Sequence, residues 1–240
     1  MPRFFLESIR NPDCIRITGE DAVHIGRSLR MRIGEELTVC AGGTDYHCHI
    51  TSITPEEVRL CAYRSELCAA EPTVNVTLYQ AVPKADKLSQ IIQKSVELGA
   101  VRIVPVLTRR CVARPDKKDF DKKLPRLQKI AESAAKQSGR GLIPQVAPLY
   151  TWKEALDEMT RADQALLFYE EGGMKFGEVP LEGCRDISIF IGSEGGLDPE
   201  EAQAAKEAGI LPVWLGNRIL RCETAPLTAI SVLMHLTGNL

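Results

Sequence analysis

Two rhythms of hydrophobic and polar residues divide the chain. Up to about residue 70, apolar residues alternate with polar ones in short runs: Arg3 to Ser8, Cys14 to Thr18, Leu37 to Ala41, Tyr46 to Ile53 and Val58 to Tyr63. Period-two runs broken by turn residues such as Gly42-Gly43 and Pro55 predict short strands, interrupted by one helix from Glu20 to about Met31. Beyond Cys68-Ala69-Ala70-Glu71-Pro72, strand-like runs alternate with helical ones. Strands are predicted at Val74–Val82, Val101–Leu107, Ala165–Tyr169, Ile187–Ile191 and Val213–Leu215. Between them, Lys84–Leu98 places Leu88, Ile91, Ile92, Ser95 and Val96 on one helical face, and Leu124–Ser138 does the same with Leu127, Ile130, Ala131, Ala134 and Ala135. Thr151-x-x-Glu154 is a capping box. Asp198-Pro199-Glu200-Glu201 starts another helix, and Thr224–Leu236 is the last. This predicts a small β domain over 1–70, then an α/β domain over 73–240 with a largely parallel sheet. The periodicity alone leads to an ordinary doubly wound sheet.

Composition changes this picture little. With 240 residues, 44% hydrophobic and 26% charged, the chain reads as an ordinary globular protein. No apolar run approaches the roughly 20 residues that span a bilayer, and the N-terminus lacks a signal-peptide core, so a cytoplasmic location is expected. The eight cysteines are scattered with no C-x-x-C pair and are read as reduced. In His47-Cys48-His49 a strand would turn the two imidazoles to one face and the thiol to the other, with no second ligand cluster, so no metal is expected. Charge distribution says more than the net of −2. Residues 102–140 hold twelve Lys/Arg against four Asp/Glu, whereas residues 1–72 hold eight against eleven. Such a basic stretch suits either a phosphate-binding face or a solvated helix.

The chemistry concentrates near the C-terminus. Ile191-Gly192-Ser193-Glu194-Gly195-Gly196-Leu197 and Leu215-Gly216-Asn217-Arg218-Ile219-Leu220-Arg221-Cys222-Glu223-Thr224-Ala225 each follow a strand-like run and lead towards a helix. Glycine lets backbone groups approach a ligand closely. Neither loop is a dinucleotide fingerprint or a phosphate loop, so a nucleotide-dependent oxidoreductase is disfavoured.

These two segments, with His24-Ile25-Gly26-Arg27-Ser28-Leu29-Arg30-Met31, Gln93-Lys94-Ser95-Val96-Glu97-Leu98-Gly99 and Gln137-Ser138-Gly139-Arg140, resemble in order the motifs of the RsmE family. That family belongs to the SPOUT class of RNA methyltransferases and methylates N3 of one uridine in 16S ribosomal RNA. The resemblance covers essentially the whole chain. It implies a PUA-like β-barrel followed by an α/β domain with a deep C-terminal trefoil knot, and S-adenosylmethionine as methyl donor. It also implies a homodimer joined through the last helix, with the small ribosomal subunit, and neither DNA nor membrane, as partner.

Carried onto this sequence, the donor site comprises Glu170, Gly192, Glu194, Gly195, Gly196, Leu215, Gly216, Ile219, Leu220, Arg221, Thr224 and Ala225, with Ile191, Leu215, Ile219, Leu220 and Leu227 as apolar walls. Arg218 and Arg221 are candidates to offset charge on the uracil, and Glu194 and Glu223 either to accept its proton or to bond backbone N–H groups and shape their own loops. A nucleophilic Cys222 is not expected. RNA contacts are expected from Arg3, Arg27, Arg30, Lys94, Arg109, Arg110, Gln137 and Arg140. Ser193 and Asn217 stand where the family commonly has proline, which predicts looser loops, and Lys136 and Ser133 stand where glutamate is frequent. Other readings of the same motifs are another SPOUT activity, such as ribose 2′-O or a different rRNA base, or a non-catalytic RNA-binding assembly factor.

Overall fold

The computed structural model describes residues 1–240, which form two compact units. The first comprises residues 1–71 together with 136–142, and the second residues 72–135 and 143–240. A boundary drawn along the sequence alone does not foresee the return of 136–142 to the first unit.

In the first unit, β1 (Arg3–Phe5), β2 (Ile15–Thr18), β3 (Glu36–Ala41), β4 (Thr44–Ile53) and β5 (Glu57–Leu67) form one sheet in the order β1-β3-β4-β5-β2. β1 runs parallel to β3 and the other pairs are antiparallel. Alternation explains its single core: Ile15 and Ile17 point inward and Arg16 outward, and Leu37, Val39, Ile50 and Leu60 join them. Gly42 and Gly43, at φ +54° and +78°, make the tight β3–β4 turn, where both central residues need the left-handed region. Register shifts at His47/Cys48 and Ile50/Ser52 bulge β4 against β5, which coils the sheet into a half-barrel. The imidazoles of His47 and His49 lie towards Glu66 (3.0 Å) and Glu36 (3.7 Å), while Cys48 is buried.

The expected helix from Glu20 to Met31 is shorter and changes pitch. α1 spans Gly19–Val23 and then widens into a π-helical turn, His24–Ser28, closed by the Leu29 N–H on the His24 carbonyl at 2.9 Å. This buries Ile25 and leaves Arg27 in solvent.

The polar interior of this unit corrects two expected RNA contacts. Arg140 is only 2% exposed, and its Nε and Nη2 donate to the two carboxylate oxygens of Glu71 at 2.9 and 2.8 Å. Arg3 donates to Asp45 through both Nη atoms (2.7 and 2.8 Å), to Cys40 Sγ (2.6 Å) and to the Arg140 carbonyl (3.2 Å). Burial pushes the Asp45 carboxyl up, but the hydrogen bonds from Arg3 and Cys40 outweigh it and hold the group below its ordinary range. Guanidiniums held by these partners inside the fold are poorly placed to meet phosphate. Lys136 pairs with Asp21 at 3.3 Å.

The second unit carries β6 (Asn75–Ala81), α2 (Lys87–Glu97), β7 (Ala100–Leu107), α3 (Lys117–Asp121), α4 (Leu124–Ser138) except its last three residues, β8 (Gln145–Val146), β9 (Tyr150–Thr151), α5 (Trp152–Met159), β10 (Gln164–Phe168), β11 (Met174–Lys175), β12 (Asp186–Ile191), α6 (Pro199–Glu207), β13 (Leu211–Trp214) and α7 (Ala225–Leu236). Its strands are all parallel, in the order β11-β13-β10-β12-β6-β7-β8, with β9 also on β7. The central strands are buried on both faces and read as continuous apolar runs, as a parallel sheet requires. α5 starts with the capping box: the Thr151 Oγ1 accepts from the Glu154 N–H (3.3 Å) and Glu154 accepts from the Thr151 N–H (2.7 Å). The architecture is α/β with a PUA-like half-barrel, and no helix is long and apolar enough to cross a membrane.

Candidate active site

Three neighbouring strands, β13, β10 and β12, end level with one another, because Phe168 pairs in register with both Ile191 and Val213. In a parallel sheet the carboxyl ends of the strands are where ligands bind, since the loops that leave them are free to diverge. Here the loops are 169–173, 192–197 and 215–224. They enclose a cavity of ≈ 640 Å³, within the range of small-molecule sites. Phe168, Ile191, Trp214, Leu215 and Leu220 supply apolar wall, while Glu170, Glu194, Arg218 and Arg221 supply charge.

The first glycine loop is shaped by close approach. A Cβ on Gly195 would lie 2.7 Å from the Arg110 carbonyl, and one on Gly196 would strike the Glu170 carboxylate. Ser193 is buried, and its hydroxyl donates to the Arg110 carbonyl at 3.4 Å. That bond restores an anchor where the expected proline is missing. Asn217 in the second loop is exposed and bonds to nothing.

The expected donor-site residues gather here with two exceptions. Thr224 caps α7 outside the cavity lining, and Leu227 lies on that helix away from it. Ile219 borders the cavity, but it is 89% exposed, so it is a rim residue and not an apolar wall. Tyr169 opens the first donor loop as the resemblance implies, and three further residues, Phe168, Trp214 and Lys87, line the cavity without having been expected. Phe168 and Trp214 end strands as Ile191 does, and that equivalence is the available signal. Lys87, at the start of α2, had no such signal.

Lys87 changes the roles open to the two expected proton acceptors. Its ammonium pairs with Glu194 at 2.9 Å and with Glu223 at 3.0 Å, and lies 3.9 Å from Cys222 Sγ. Burial pushes the Glu194 carboxyl up, but bonds from Lys87 and from the Lys84 and Glu194 N–H groups bring it below its ordinary value. The Cys222 thiol and then Lys87 lower Glu223. A carboxylate held below its usual range is a weaker base, so both groups are better suited to fixing loops than to taking a proton from an imide. Burial, with the carboxylates of Glu223 and Glu194, pushes Cys222 up to about 12. It is a protonated thiol at neutral pH, not a poised nucleophile.

Arg218 and Arg221 are exposed on the rim and make no ion pair. The remaining expected RNA residues divide. Arg27, Arg30 and Gln137 are exposed. Lys94 pairs with Glu97 at 2.9 Å within α2. Arg109 pairs with Asp198 (3.3 Å) and Glu200, while Arg110 lies 4.0 Å from Asp198 and donates to the Gly195 carbonyl at 3.5 Å. Arg110 therefore also shapes the first glycine loop.

Comparison with known proteins follows this geometry closely. Residues 70–234 match the model of an RNA methyltransferase domain, and residues 17–60 that of an RNA methyltransferase PUA domain. Ribosomal RNA small subunit methyltransferase E of Bacillus subtilis is 34% identical over 250 residues, covering 99% of this chain and 97% of its own. The protein of that name from Aquifex aeolicus is 30% identical over 220 residues, covering 91% and 93%. The crystal structure of the Neisseria gonorrhoeae protein of that name, bound to S-adenosyl methionine, superposes with a TM-score of 0.88 at 33% identity over 98% of each chain. With both of its units matched and its candidate site on the expected strand ends, the chain belongs to the ribosomal RNA small subunit methyltransferase E family of RNA methyltransferases.

Proposed function

We propose that this protein transfers a methyl group from S-adenosylmethionine to N3 of a uridine in 16S rRNA, the family's uridine 1498, within the small ribosomal subunit. The observation that carries the reading is the cavity at three level strand ends, apolar on one side, with two unpaired arginines on its rim. The residues fit the donor. Phe168, Ile191, Trp214, Leu215 and Leu220 suit a flat adenine, and the backbone of Gly192, Gly195, Gly196 and Gly216 can approach its polar edge. Glu170, exposed and unpaired, suits a hydroxyl or an ammonium group. Bound there, the donor supplies an electrophilic methyl group.

The chain's own part is positioning and electrostatics. Loss of the imide proton to solvent leaves negative charge on the uracil oxygens, and Arg218 and Arg221 are placed to offset it by donating from the rim. Glu194 and Glu223 shape the loops. Arg27, Arg30 and Gln137, with Arg109 and Arg110, are the RNA-facing candidates, since their exposure leaves donors available to phosphate. α7 has buried and half-buried apolar residues and an exposed Leu236, which supports a homodimer through that helix. The insertion of β13 between β11 and β10 supports a C-terminal knot. A cytoplasmic site of action goes with such a substrate.

The test is methyl transfer from labelled S-adenosylmethionine to small subunits lacking the modification, followed by digestion and separation of the nucleosides. Label in 3-methyluridine is expected. Label in another nucleoside would move the activity within the class, and no transfer without donor binding would favour an assembly factor.

A further inference from the structure

The loop of residues 215–224 walls one side of the cavity, and few hydrogen bonds or ion pairs join it to the rest of the chain. Its backbone bonds stay within the segment and the first turn of α7. Two side chains outside that stretch bond to it: Lys87, whose ammonium meets Glu223 at 3.0 Å and lies 3.9 Å from Cys222 Sγ, and Glu194, whose carboxylate accepts a bond from the Cys222 thiol. The same ammonium meets Glu194 of the first glycine loop at 2.9 Å.

That first loop, by contrast, has several anchors. The buried Gln80 amide donates to the Gly192 carbonyl at 3.3 Å, the Ser193 hydroxyl donates to the Arg110 carbonyl, and Arg110 donates to the Gly195 carbonyl. Glu194 also accepts the Lys84 N–H at 3.1 Å, so its carboxylate grips the turn that leads to Lys87. In this turn Ala85 adopts φ +54°. One loop is therefore fixed, and the other is tied to it by the Lys87 cation and by the Cys222 thiol on Glu194, a carboxylate that Lys87 itself holds.

We infer that Lys87 is a positioning residue that fastens the second glycine loop to the first and so sets the shape of the donor cavity; its consequence for binding rests on the function proposed above. The three side chains are roughly a quarter exposed, so the arrangement is accessible to solvent and can open and reclose. The dual pairing is what distinguishes the role. A lysine bridging two carboxylates links two loops, whereas a single ion pair at this exposure holds little. Without the ammonium, Glu194 and Glu223 are left as like charges on facing loops, and the second loop keeps only the Cys222 thiol's bond to Glu194.

The experiment measures hydrogen exchange of the ligand-free protein by mass spectrometry, S-adenosylmethionine binding by calorimetry, and thermal melting, for the wild type, K87M, K87R and E223Q. K87M is expected to speed exchange across 215–224 by about tenfold and to leave β6, β10 and β12 unchanged. It is also expected to weaken donor binding by about tenfold, which corresponds to about 1.4 kcal/mol. K87R, which can still reach two carboxylates, is expected to recover most of both. E223Q keeps the tie to Glu194 and is expected to loosen 215–224 alone. Unchanged exchange and donor affinity in K87M would overturn the inference. So would loosening spread across the whole sheet with a collapsed melting temperature in both K87M and E223Q, because that marks a general structural role. If the wild type does not bind S-adenosylmethionine, the proposed function fails, and the exchange measurement still decides the role of Lys87.

Discussion

Removing the Glu71 carboxylate tests the assignment of Arg140 to the interior. Glu71 accepts four hydrogen bonds: two from the Arg140 guanidinium, one from the Gly141 N–H at 2.8 Å and one from the Leu142 N–H at 3.1 Å. Arg140 is 2% exposed and the Glu71 side chain 16% exposed, so water cannot replace the lost partner at the guanidinium. Deleting one member of a buried pair costs about 3–5 kcal/mol, because the other charge loses its partner of opposite sign. The buried Gly141 N–H also loses its acceptor, while the exposed Leu142 N–H can turn to solvent. E71A should therefore lose about 4 kcal/mol, near the middle of that range. E71Q keeps an acceptor and should lose about half as much, as expected for a bond to a charged group. Urea unfolding followed by circular dichroism measures this; both tryptophans, Trp152 and Trp214, lie in the second unit and their fluorescence serves as a control. A loss below about 1 kcal/mol in E71A would refute the reasoning. Tighter RNA binding at unchanged stability would return Arg140 to the RNA surface.

Other predictions address the turn, the thiol and acid stability. A85G should raise stability by about 0.5–1 kcal/mol by thermal unfolding, since it relieves a left-handed backbone at a non-glycine residue at some entropic cost. C222S should keep methyl transfer within about threefold, because a thiol pushed up to about 12 carries almost no thiolate at neutral pH; a loss of a hundredfold or more would revive a covalent step. Lys117, with the Thr151 N–H and hydroxyl, holds Glu154 down at about 2 from an ordinary 4.5. A folded-state value below the unfolded one means that its stabilisation is complete above pH 4.5 and fades as pH falls towards 2. E154Q should therefore differ in stability from the wild type at neutral pH and converge with it across that window in urea titrations.

Much of the fold can be read in the sequence wherever a local rule dominates. α4 occupies the predicted Leu124–Ser138, because its apolar stripe is regular, and Thr151 and Glu154 cap α5 as their spacing requires. The shortest elements escaped. β8, β9 and β11 are two residues each and α3 is five, too brief to carry a period. The π-helical turn after α1 leaves no composition signal. At the site, the glycine loops were legible because close backbone approach demands glycine. The roles of charged residues were not, since they depend on partners far along the chain. Glu71 lies 69 residues from Arg140, and Glu194 and Glu223 lie more than a hundred from Lys87. A charged residue's type is written in the sequence, but its partner is set only by the tertiary fold.

The place of β13 bears on how the protein comes into being. β10 and β11 are separated by only residues 169–173, yet β13, some forty residues later, lies between them and pairs with both. The gap between two near-consecutive strands must stay open during synthesis until β13 has emerged and entered it. Parallel pairing of distant segments is slow in any case. The last wall of the cavity follows β13 directly, so the cavity is complete only once β13 has entered the sheet.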